Sequence, residues 1–348
     1  MSVYTCSFCQ FTYDEWHGDS KNGIPKQTQF SVLSGSLCSR CGMQGERHQR
    51  QRVTSYKGEE AKTYDMFAGK AGISFYMEWL HSSKDPVTVL ELGSGTGRMT
   101  VPFLQKGIHV QPVDVSNEMN EIAKKKLERL DLPITIIEED ILSLHLEDTY
   151  SHILLADGFL QHFLMIEEQK KLLAFVYSHI KQGGQIALDI IVPPNTKWKT
   201  VKKKRMTNKK TVMKTIEGEV TLSKQLMVCA TTITSVVDGY IDTTYHVERE
   251  YSLLTPREVV YLLEIVGFDI INMTENYKAQ PWETVVPASL QKQKPDLPID
   301  QTLVEQDQDS NLHPYVENVW STGHYIYQEE EKSEWTTITI FAKKKEER

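Results

Sequence analysis

A glycine-rich loop between a predicted strand and a predicted helix constrains the fold of this chain more than any other feature. Residues 87–92 (VTVLEL) form a short β-rich segment, the loop GSGTG follows at residues 93–97, and a helical pattern begins at Arg98. Glycine is required where the backbone passes close to a ligand at a helix N-terminus, because a Cβ atom would collide there. The next predicted strand ends in Asp114, whose carboxylate can accept hydrogen bonds from both hydroxyls of a ribose. Loop and acid together predict a site for a nucleoside-containing cofactor.

Two cofactors compete for such a site, a nicotinamide dinucleotide and S-adenosylmethionine. The dinucleotide fingerprint has the spacing G-x-G-x-x-G, whereas this loop has G-x-G-x-G and carries Arg98 at the position of the last glycine. Glu91 lies near the end of the predicted strand. Its carboxylate would repel a pyrophosphate, but it would attract the cationic amino acid and sulfonium groups of S-adenosylmethionine. The residues therefore favour S-adenosylmethionine.

Four of the five cysteines form two CxxC pairs near the N-terminus, Cys6 with Cys9 and Cys38 with Cys41. The sequence shows no export signal, and clustered cysteines in such a chain indicate a metal site more often than disulfides. Four thiolates on two short loops predict a tetrahedral site for zinc or a single iron ion. A segment of about 50 residues buries too little apolar surface to be stable alone, so the metal is expected to supply much of its folding free energy.

The segment YTCSFCQFTYDEWHGDSKNGIPKQTQFSVLSGSLCSRCG, within residues 3–46, resembles rubredoxin from end to end. The resemblance implies a mononuclear iron held by the four cysteines. Three residues depart from the rubredoxin pattern: Gln10 replaces the usual glycine after the second cysteine, and Leu37 and Ser39 flank the third. A glycine on such a loop permits the close N–H to sulfur contact that tunes the metal. We therefore expect a structural or regulatory module that holds iron or zinc, and not a fast electron carrier.

The rest of the chain, over residues 63–342, resembles class I S-adenosylmethionine-dependent methyltransferases. The segment VLELGSGTGRMTVPFLQKGIHVQPVDVSNEMNEIAKKK is similar to their first two βα units. IIEEDILSL, HILLADGFLQHF and IKQGGQIALDII are similar to the third, fourth and fifth strands, and LLTPREVVYLLEIVGFDII and WTTITIFAKK to the end of the fold. The resemblance implies a Rossmann-like α/β fold with a seven-stranded sheet. The chain then divides into a metal domain at 1–46, a linker at 47–62 and a methyltransferase domain at 63–348.

The same resemblance implies which residues bind the cofactor. The loop glycines would line its methionine part, Asp114 would hold the ribose, and Ala156 would approach the sulfonium. Tyr64, in the segment TYDMF, resembles the aromatic residue that closes over the cofactor in small-molecule N-methyltransferases. The full predicted set is Tyr64, Glu91, Gly93, Ser94, Gly95, Gly97, Asp114, Val115, Met119, Asp140, Ile141 and Ala156.

Residues 193–250 form an insertion in which β-branched and polar residues alternate, and Asp238-Gly239 marks a hairpin turn within it. The pattern predicts an antiparallel sheet, which roofs the active site in the sugar-amine and glycine N-methyltransferases that the chain resembles. A small, enclosed acceptor is therefore expected. An unprotonated amine needs no base, whereas a phenol or alcohol is helped by one. The candidate catalytic residues are His162, Asp157 and Tyr64, with Tyr245 and His246 as further candidates for a base.

Charge and hydropathy bear on the partners of the chain. A formal net charge of −8 argues against a surface shaped for nucleic acid. The sequence contains neither a long apolar run nor a signal peptide, so we expect a cytoplasmic protein without a membrane span. Eight Lys or Arg residues between Lys197 and Lys210 predict a solvated loop, with an RNA or acidic-substrate contact as the alternative. The sequence defines neither an oligomeric state nor a role for residues 283–334.

These observations favour an enzyme that methylates a nitrogen or oxygen atom of a small molecule. A first alternative is an RNA or protein methyltransferase that docks its substrate through the metal domain. A second alternative is a metal or redox sensor that binds S-adenosylmethionine without catalysis. Binding that weakens steeply with salt would favour the first alternative, and cofactor binding without turnover would favour the second.

Overall fold

The computed structural model describes residues 3–6, 12–15, 18–33, 38, 40–41, 48–51, 55–83, 85–278 and 335–345. Its N-terminal part contains a three-stranded antiparallel sheet in the order β2-β1-β3, formed by β1 (Val3–Cys6), β2 (Thr12–Asp14) and β3 (His48–Gln51). A short helix, α1 (Phe30–Leu33), follows β2. The ring of Phe30 stacks on that of Tyr4 with a centroid separation of 4.2 Å. Such aromatic packing supplies much of the apolar contact in a domain too small for a large core.

The central sheet has six strands in the order β12-β13-β7-β6-β4-β5. They are β4 (Thr88–Leu92), β5 (His109–Val113), β6 (Tyr150–Leu155), β7 (Ile180–Val192), β12 (Phe268–Glu275) and β13 (Thr336–Lys344). Strands β4 to β7 are parallel, and β13 lies antiparallel between β7 and β12. The strand order reverses between β4 and β6, and open α/β sheets bind ligands at the carboxyl ends of the strands beside such a reversal.

The third strand of the predicted seven is reduced to one bridge, at which Ile137 lies beside Val113. The reason is Pro112, which precedes the bridge on β5 and has no N–H to donate to the neighbouring segment. The side-chain amide of Gln111 takes this role and donates to the carbonyl oxygen of Thr135 at 3.0 Å. A side-chain hydrogen bond therefore replaces the ladder at this edge, and the described part of the sheet has six strands and not seven.

Helices cover both faces of the central sheet. The helices are α2 (Gly58–Lys62), α3 (Tyr64–Ala68), α4 (Ile73–His81), α5 (Thr100–Gln105), α6 (Asn117–Arg129), α7 (Ile166–His179) and α8 (Pro256–Val266). The last five pack on the sheet, whereas α2 and α3 contact α6 and strands of the insertion. The faces alternate along β6, where Ile153 belongs to the cluster packed under α7 and α8, and Leu154 to the cluster packed under α4 and α5. Within the residues that the structure describes, no helix is long and apolar enough to cross a membrane.

The insertion folds into a separate antiparallel sheet, here named the lid sheet, in the order β11-β10-β9-β8. Its strands are β8 (Lys197–Arg205), β9 (Lys210–Thr221), β10 (Leu226–Val237) and β11 (Tyr240–Ser252). The turn between β10 and β11 has φ values of 50° at Asp238 and 86° at Gly239, as a tight hairpin of the I′ type requires. Phe67 of α3 packs against Val212 and Ile233 of the lid sheet, so the predicted antiparallel insertion is present and lies on α3.

Most of the basic run that was predicted to be a loop is a strand, β8, at the edge of the lid sheet, and residues 206–209 connect it to β9. The prediction was wrong because buried and exposed residues alternate along the strand, with Trp198 and Thr200 buried between lysines. Opposite charges also face each other across the ladder. Lys197 pairs with Glu219 at 2.8 Å and Lys199 with Glu217 at 2.6 Å. All four side chains are more than half exposed, so these pairs add little stability. Lysines on an edge strand also oppose pairing with a further strand.

The range predicted as a linker, residues 47–62, contains secondary structure. Strand β3 pairs with β1 in the N-terminal sheet, and α2 carries two buried residues, Glu60 and Ala61. The backbone N–H of Gly58 donates to a carboxylate oxygen of Glu118 at 2.7 Å. This polar segment is therefore attached to α6 of the central α/β domain.

Candidate active site

A cavity of about 270 Å³ lies at the carboxyl ends of β4, β5 and β6, beside the reversal in strand order. Its walls combine the glycine loop, the loops that follow β5 and β6, residues 139–142, and three residues on either side of α2, namely Ser55, Tyr56 and Tyr64. Of the predicted cofactor-binding and catalytic residues, those that line it are Tyr64, Glu91, Gly93, Ser94, Gly95, Asp114, Val115, Met119, Asp140, Ile141, Ala156, Asp157 and His162. The fold thus brings together residues that lie up to about a hundred positions apart in sequence.

The glycine loop and Asp114 form one hydrogen-bonded unit. The backbone N–H of Gly95 donates to one carboxylate oxygen of Asp114 at 2.8 Å, and that of Ser116 donates to the other at 2.7 Å. Gly95 has a φ of 56°, a conformation that side chains with a Cβ rarely adopt. Burial raises the pKa of Asp114. Each oxygen keeps acceptor capacity for a ligand hydroxyl, because a carboxylate oxygen accepts more than one hydrogen bond.

Gly97 is the one predicted cofactor residue outside the cavity wall. A Cβ atom at this position would lie 3.3 Å from the Cβ of Ala123 on α6. Gly97 also has a φ of 73°. The third glycine of the loop therefore serves the close packing of the loop on α6, which the spacing of the glycines alone does not distinguish from contact with a ligand.

Glu91 places a buried acid in the cavity wall. Its side chain is 3 % exposed, and the hydroxyl of Thr100 donates to it at 2.6 Å. Burial raises the pKa of Glu91 to about 8, partly offset by the hydrogen bond from Thr100. Around neutral pH the group therefore binds a proton unless a cation lies beside it.

Asp157 lies at the start of the loop after β6 and is held by two side-chain donors. Arg98, which is 4 % exposed, pairs with one carboxylate oxygen at 2.6 Å, and the hydroxyl of Tyr64 donates to the same oxygen at 3.1 Å. The hydroxyl of Tyr277 lies 3.4 Å from the other oxygen, but its one hydrogen is donated to the nearer carboxylate of Asp189. Burial raises the pKa of Tyr64 well above its usual range, so its hydroxyl stays a donor. Asp157 is therefore better suited to hold Tyr64 and Arg98 in place than to act as a general base.

A second acid, Asp189 on β7, accepts a hydrogen bond from the backbone of this loop. It is fully buried, and one of its oxygens accepts from the N–H of Asp157 at 2.9 Å and the hydroxyl of Tyr277 at 3.1 Å. The other oxygen accepts from the hydroxyls of Tyr76 and Thr339 at 2.5 and 2.7 Å. Asp157 has a φ of 53°, which is unfavourable for a residue with a Cβ. The hydrogen bond to Asp189 stabilises it.

The donor and acceptor groups of the cavity fit S-adenosylmethionine. The hydroxyl of Ser94 is buried, with no hydrogen-bond partner within the described ranges, and buried hydroxyls are normally satisfied. Asp114 offers oxygens for a ribose diol. Glu91 offers a carboxylate beside which a cationic group is favoured. A cationic nucleoside would satisfy all three groups at once.

His162 lines the cavity from the end of the turn Phe159–His162, which follows β6. Its ring makes edge contacts with Tyr251 of the lid sheet and with Tyr56, at centroid distances of 4.9 and 6.1 Å. The other two candidates for a base, Tyr245 and His246, do not line the cavity. His246 bonds to the hydroxyl of Thr232 at 3.0 Å, whereas Tyr245 packs near Phe67.

The N-terminal cysteines form a separate candidate metal centre. The sulfur atoms of Cys6, Cys38 and Cys41 all lie within 4.8 Å of one another, and those of Cys6 and Cys41 are 3.7 Å apart. A tetrahedral site with metal–sulfur bonds of about 2.3 Å separates its sulfurs by about 3.8 Å. The three thiols are free of disulfides, so their spacing fits a bound metal ion. Cys9, the fourth predicted ligand, lies outside the described residues.

Three residues of the site, Tyr56, Arg98 and Asp189, were not predicted from the sequence. Tyr56 lies in the segment that its polar composition assigned to a linker, and an aromatic residue there was the available signal. Arg98 follows the glycine loop directly, and a charge at this position requires a partner if it is buried. Asp189 interrupts the apolar strand IALDII, and an acid inside a buried strand is seldom without hydrogen-bond donors.

Two protein families match separate parts of the chain. The methyltransferase domain family matches residues 89–184, and rubredoxin matches residues 3–48. Cypemycin N-terminal methyltransferase from Streptomyces sp is 26% identical over 212 residues, covering 58% of this chain and 80% of that protein. An uncharacterized methyltransferase from Bacillus cytotoxicus is 34% identical over 136 residues, covering 37% of this chain and 62% of its own length. A malonyl-[acyl-carrier protein] O-methyltransferase from Ilyobacter polytropus is 32% identical over 143 residues, covering 40% and 51%.

Solved structures share the fold. An S-adenosylmethionine-dependent methyltransferase from Clostridium acetobutylicum has a TM-score of 0.54 at 17% identity, covering 82% of this chain and 97% of that chain. An amino pentose methyltransferase from Micromonospora echinaspora has a TM-score of 0.53 at 15% identity, covering 62% and 91%. DesVI from Streptomyces venezuelae has a TM-score of 0.52 at 17% identity, covering 62% and 92%. At these identities the likeness concerns the fold.

Proposed function

Since this chain is an S-adenosylmethionine-dependent methyltransferase with an N-terminal rubredoxin domain, we propose that it methylates a nitrogen or oxygen atom of a small molecule, with an amine as the favoured acceptor. The observation that carries the proposal is the cavity beside β4, in which Glu91, the glycine loop and Asp114 present the groups that a cationic nucleoside needs. The similarity to cypemycin N-terminal methyltransferase supports the preference for nitrogen.

Each end of the cavity would hold one part of the cofactor. Asp114 would accept hydrogen bonds from the ribose hydroxyls, while Gly95 keeps its carboxylate in place through the backbone N–H. Glu91 would lie beside the ammonium group, and the unsatisfied hydroxyl of Ser94 would bond to the amino acid part. Met119 is 2 % exposed and provides an apolar wall for the adenine. When bound, the cofactor supplies an electrophilic methyl group on a sulfonium.

The task of the protein in such a reaction is to align the acceptor with the breaking C–S bond and to exclude water. Tyr64, fixed by Asp157, and Tyr56 bring aromatic rings to the cavity wall, with ring centroids 5.6 Å apart at 84°. The loop after β6 contributes Asp157 and His162. We assign Asp157 to the positioning of Tyr64 and Arg98, and His162 to the acceptor side. An amine would then react as the free base, and a hydroxyl acceptor would depend on His162 to take its proton.

A methylation assay tests the proposal. The full chain is incubated with S-adenosylmethionine and a panel of small amines, amino sugars, phenols and alcohols, and mass spectrometry detects acceptors that have gained one methyl group. Asp114→Ala is expected to abolish product, and Asp242→Asn, a change at an exposed acid of the lid sheet, is expected to leave it unchanged. Cofactor binding without product from any acceptor would support a sensor instead, and product only with RNA or protein would support a macromolecular substrate.

For the N-terminal module we propose a structural or regulatory role with iron or zinc held by Cys6, Cys9, Cys38 and Cys41. The support is the sulfur spacing described above and the pairing of Cys6 with His48, which joins the metal-binding strand β1 to β3. Ser55, four residues beyond the end of β3, lines the cofactor cavity. Metal content measured by elemental analysis, together with the redox titration of the purified chain, tests the assignment. A reversible redox couple that changes the rate of methyl transfer would overturn the structural role.

A further inference from the structure

The segment Ser55–Glu60, here named the roof segment, lies over the cofactor cavity and is held on one side by the ribose-binding loop. Ser55 and Tyr56 line the cavity. The hydroxyl of Ser116 donates to the carbonyl oxygen of Tyr56 at 2.6 Å, and the N–H of Ser116 donates to Asp114. The backbone of Tyr56 is thereby tied to the group that would hold the ribose.

Arg249 on β11 of the lid sheet holds the other side of the roof segment. Its guanidinium forms a bidentate pair with the carboxylate of Glu60 at 2.6 and 2.9 Å. It also donates to the carbonyl oxygen of Ser55 at 3.1 Å and lies over the ring of Tyr56, 4.1 Å from the centroid. A single side chain therefore contacts the beginning, the ring and the end of the roof segment.

The Arg249–Glu60 pair is shielded from solvent and depends on the geometry of the guanidinium. The side chains of Arg249 and Glu60 are each 3 % exposed. A charge buried to this degree is tolerated when its partner and its hydrogen bonds are in place, and it strongly disfavours states in which they are lost. A guanidinium can also make a planar, two-pronged contact and stack on an aromatic ring at the same time, which an ammonium group cannot do.

Tyr56 also connects the roof segment to the acceptor side. Its hydroxyl lies 3.5 Å from that of Tyr251, two residues beyond Arg249 on β11, and Tyr251 contacts His162. Displacement of β11 would therefore disturb the ring of Tyr56 above the cofactor and the ring of His162 beside it.

We propose that Arg249 is a positioning residue that holds Tyr56 over the bound cofactor, so that docking of the lid sheet and closure of the cofactor cavity are one event. This inference rests on the proposed function, because it requires the cavity to bind S-adenosylmethionine. Arg249 does not itself line the cavity, and its effect on the cofactor passes through Tyr56 and Ser55.

A double-mutant cycle tests the inference. S-adenosylhomocysteine is titrated into the wild type, Tyr56→Ala, Arg249→Met and the combination of the two, and its dissociation constant and dissociation rate are measured. Each single change is expected to raise the dissociation constant at least about tenfold, mainly through faster dissociation. Both changes remove the same contact between Arg249 and Tyr56. Adding Tyr56→Ala to Arg249→Met is therefore expected to raise the dissociation constant by less than about twofold more. Arg249→Lys, which keeps the charge without the planar fork, is expected to fall between.

A fold-preserving variant separates positioning from stability. Glu60→Leu combined with Arg249→Met replaces the ion pair with apolar groups, a change that is often neutral for stability. It is expected to melt within a few degrees of the wild type and still to lose cofactor affinity about tenfold, whereas Arg257→Met, at an exposed arginine, changes neither.

Three outcomes are decisive. Wild-type affinity in the Glu60→Leu/Arg249→Met variant, or an equal cost of Tyr56→Ala in both backgrounds, would overturn the role of Arg249. If the wild-type chain itself binds no S-adenosylhomocysteine, the proposed function fails instead.

Discussion

Protonation of Glu91 is expected to set how cofactor binding responds to pH. The side chain is 3 % exposed, and burial raises its pKa to about 8. In the free protein at neutral pH, Glu91 is then mostly a neutral acid. A ligand ammonium group beside it favours the carboxylate, so that binding expels a proton.

The size of the effect follows from the pKa. With a pKa of about 8, about one molecule in a hundred carries the carboxylate at pH 6, about one in ten at pH 7 and about half at pH 8. If the cofactor binds the ionised form, its apparent affinity rises about tenfold between pH 6 and pH 7 and levels off above pH 8. At pH 7, binding is expected to release about 0.9 proton from Glu91.

Calorimetry measures both quantities. S-adenosylhomocysteine is titrated into the full chain at pH 6, 7 and 8, each in two buffers with different heats of ionisation, which gives the affinity and the number of protons released. Glu91→Gln keeps the shape of the side chain and removes its titration. Asp114 also lines the cavity and is present in both proteins. The ligand ammonium group is likewise common to both titrations. The difference in proton release between the two proteins therefore comes from Glu91.

Two results would refute this reasoning. One is an affinity of the wild type that stays constant from pH 6 to pH 8. The other is a proton release at pH 7 that is equal in the wild type and in Glu91→Gln. In either case Glu91 does not change its ionisation when the ligand binds, and the ammonium group does not lie beside it.

Four further predictions concern separate parts of the molecule. Gly95→Ala, at a φ of 56°, is expected to lower the free energy of unfolding by about 1 kcal/mol and to weaken cofactor binding at least about tenfold, as measured by denaturation and calorimetry. Burial raises the pKa of Asp189 to about 6. The contribution of this group to the free energy of unfolding is therefore fully present below about pH 4 and is lost as the pH rises through about 6. The difference in unfolding free energy between the wild type and Asp189→Asn is expected to change by about 3 kcal/mol over that range. Cys38→Ser is expected to lower the bound metal measured by elemental analysis and to remove a melting transition of the N-terminal domain. His162→Gln is expected to leave kcat on amines nearly unchanged and to lower kcat on phenols about a hundredfold; equal losses on both acceptor classes would remove the proton-accepting role.

Local sequence predicted the parts of the site that depend on local structure. The loop at residues 93–97 and the acid at Asp114 are near each other because adjacent parallel strands end at the same edge, and the Gly95 to Asp114 hydrogen bond closes that unit. The CxxC pairs also predicted a site from local structure, because a short loop fixes the direction of its two sulfur atoms. The hairpin turn at residues 238–239 followed from the residue types alone.

The remaining parts depend on contacts between residues far apart in the chain. The missing third strand follows from one residue, Pro112, whose effect depends on which segment lies beside it. Glu60 and Arg249 meet across 189 positions, and nothing in the polar segment around Glu60 indicates that it is buried. The positive φ of Asp157 likewise depends on Asp189, which no local pattern connects to it.

The central claim is that the cavity beside β4 binds S-adenosylmethionine, and calorimetric titration of the full chain tests it most directly. S-adenosylmethionine and S-adenosylhomocysteine are each expected to bind with one site per chain and to lose measurable binding in Asp114→Ala, while NAD and NADH give no heat of binding. A folded wild-type chain that binds NADH and gives no signal with either S-adenosyl compound would contradict the account.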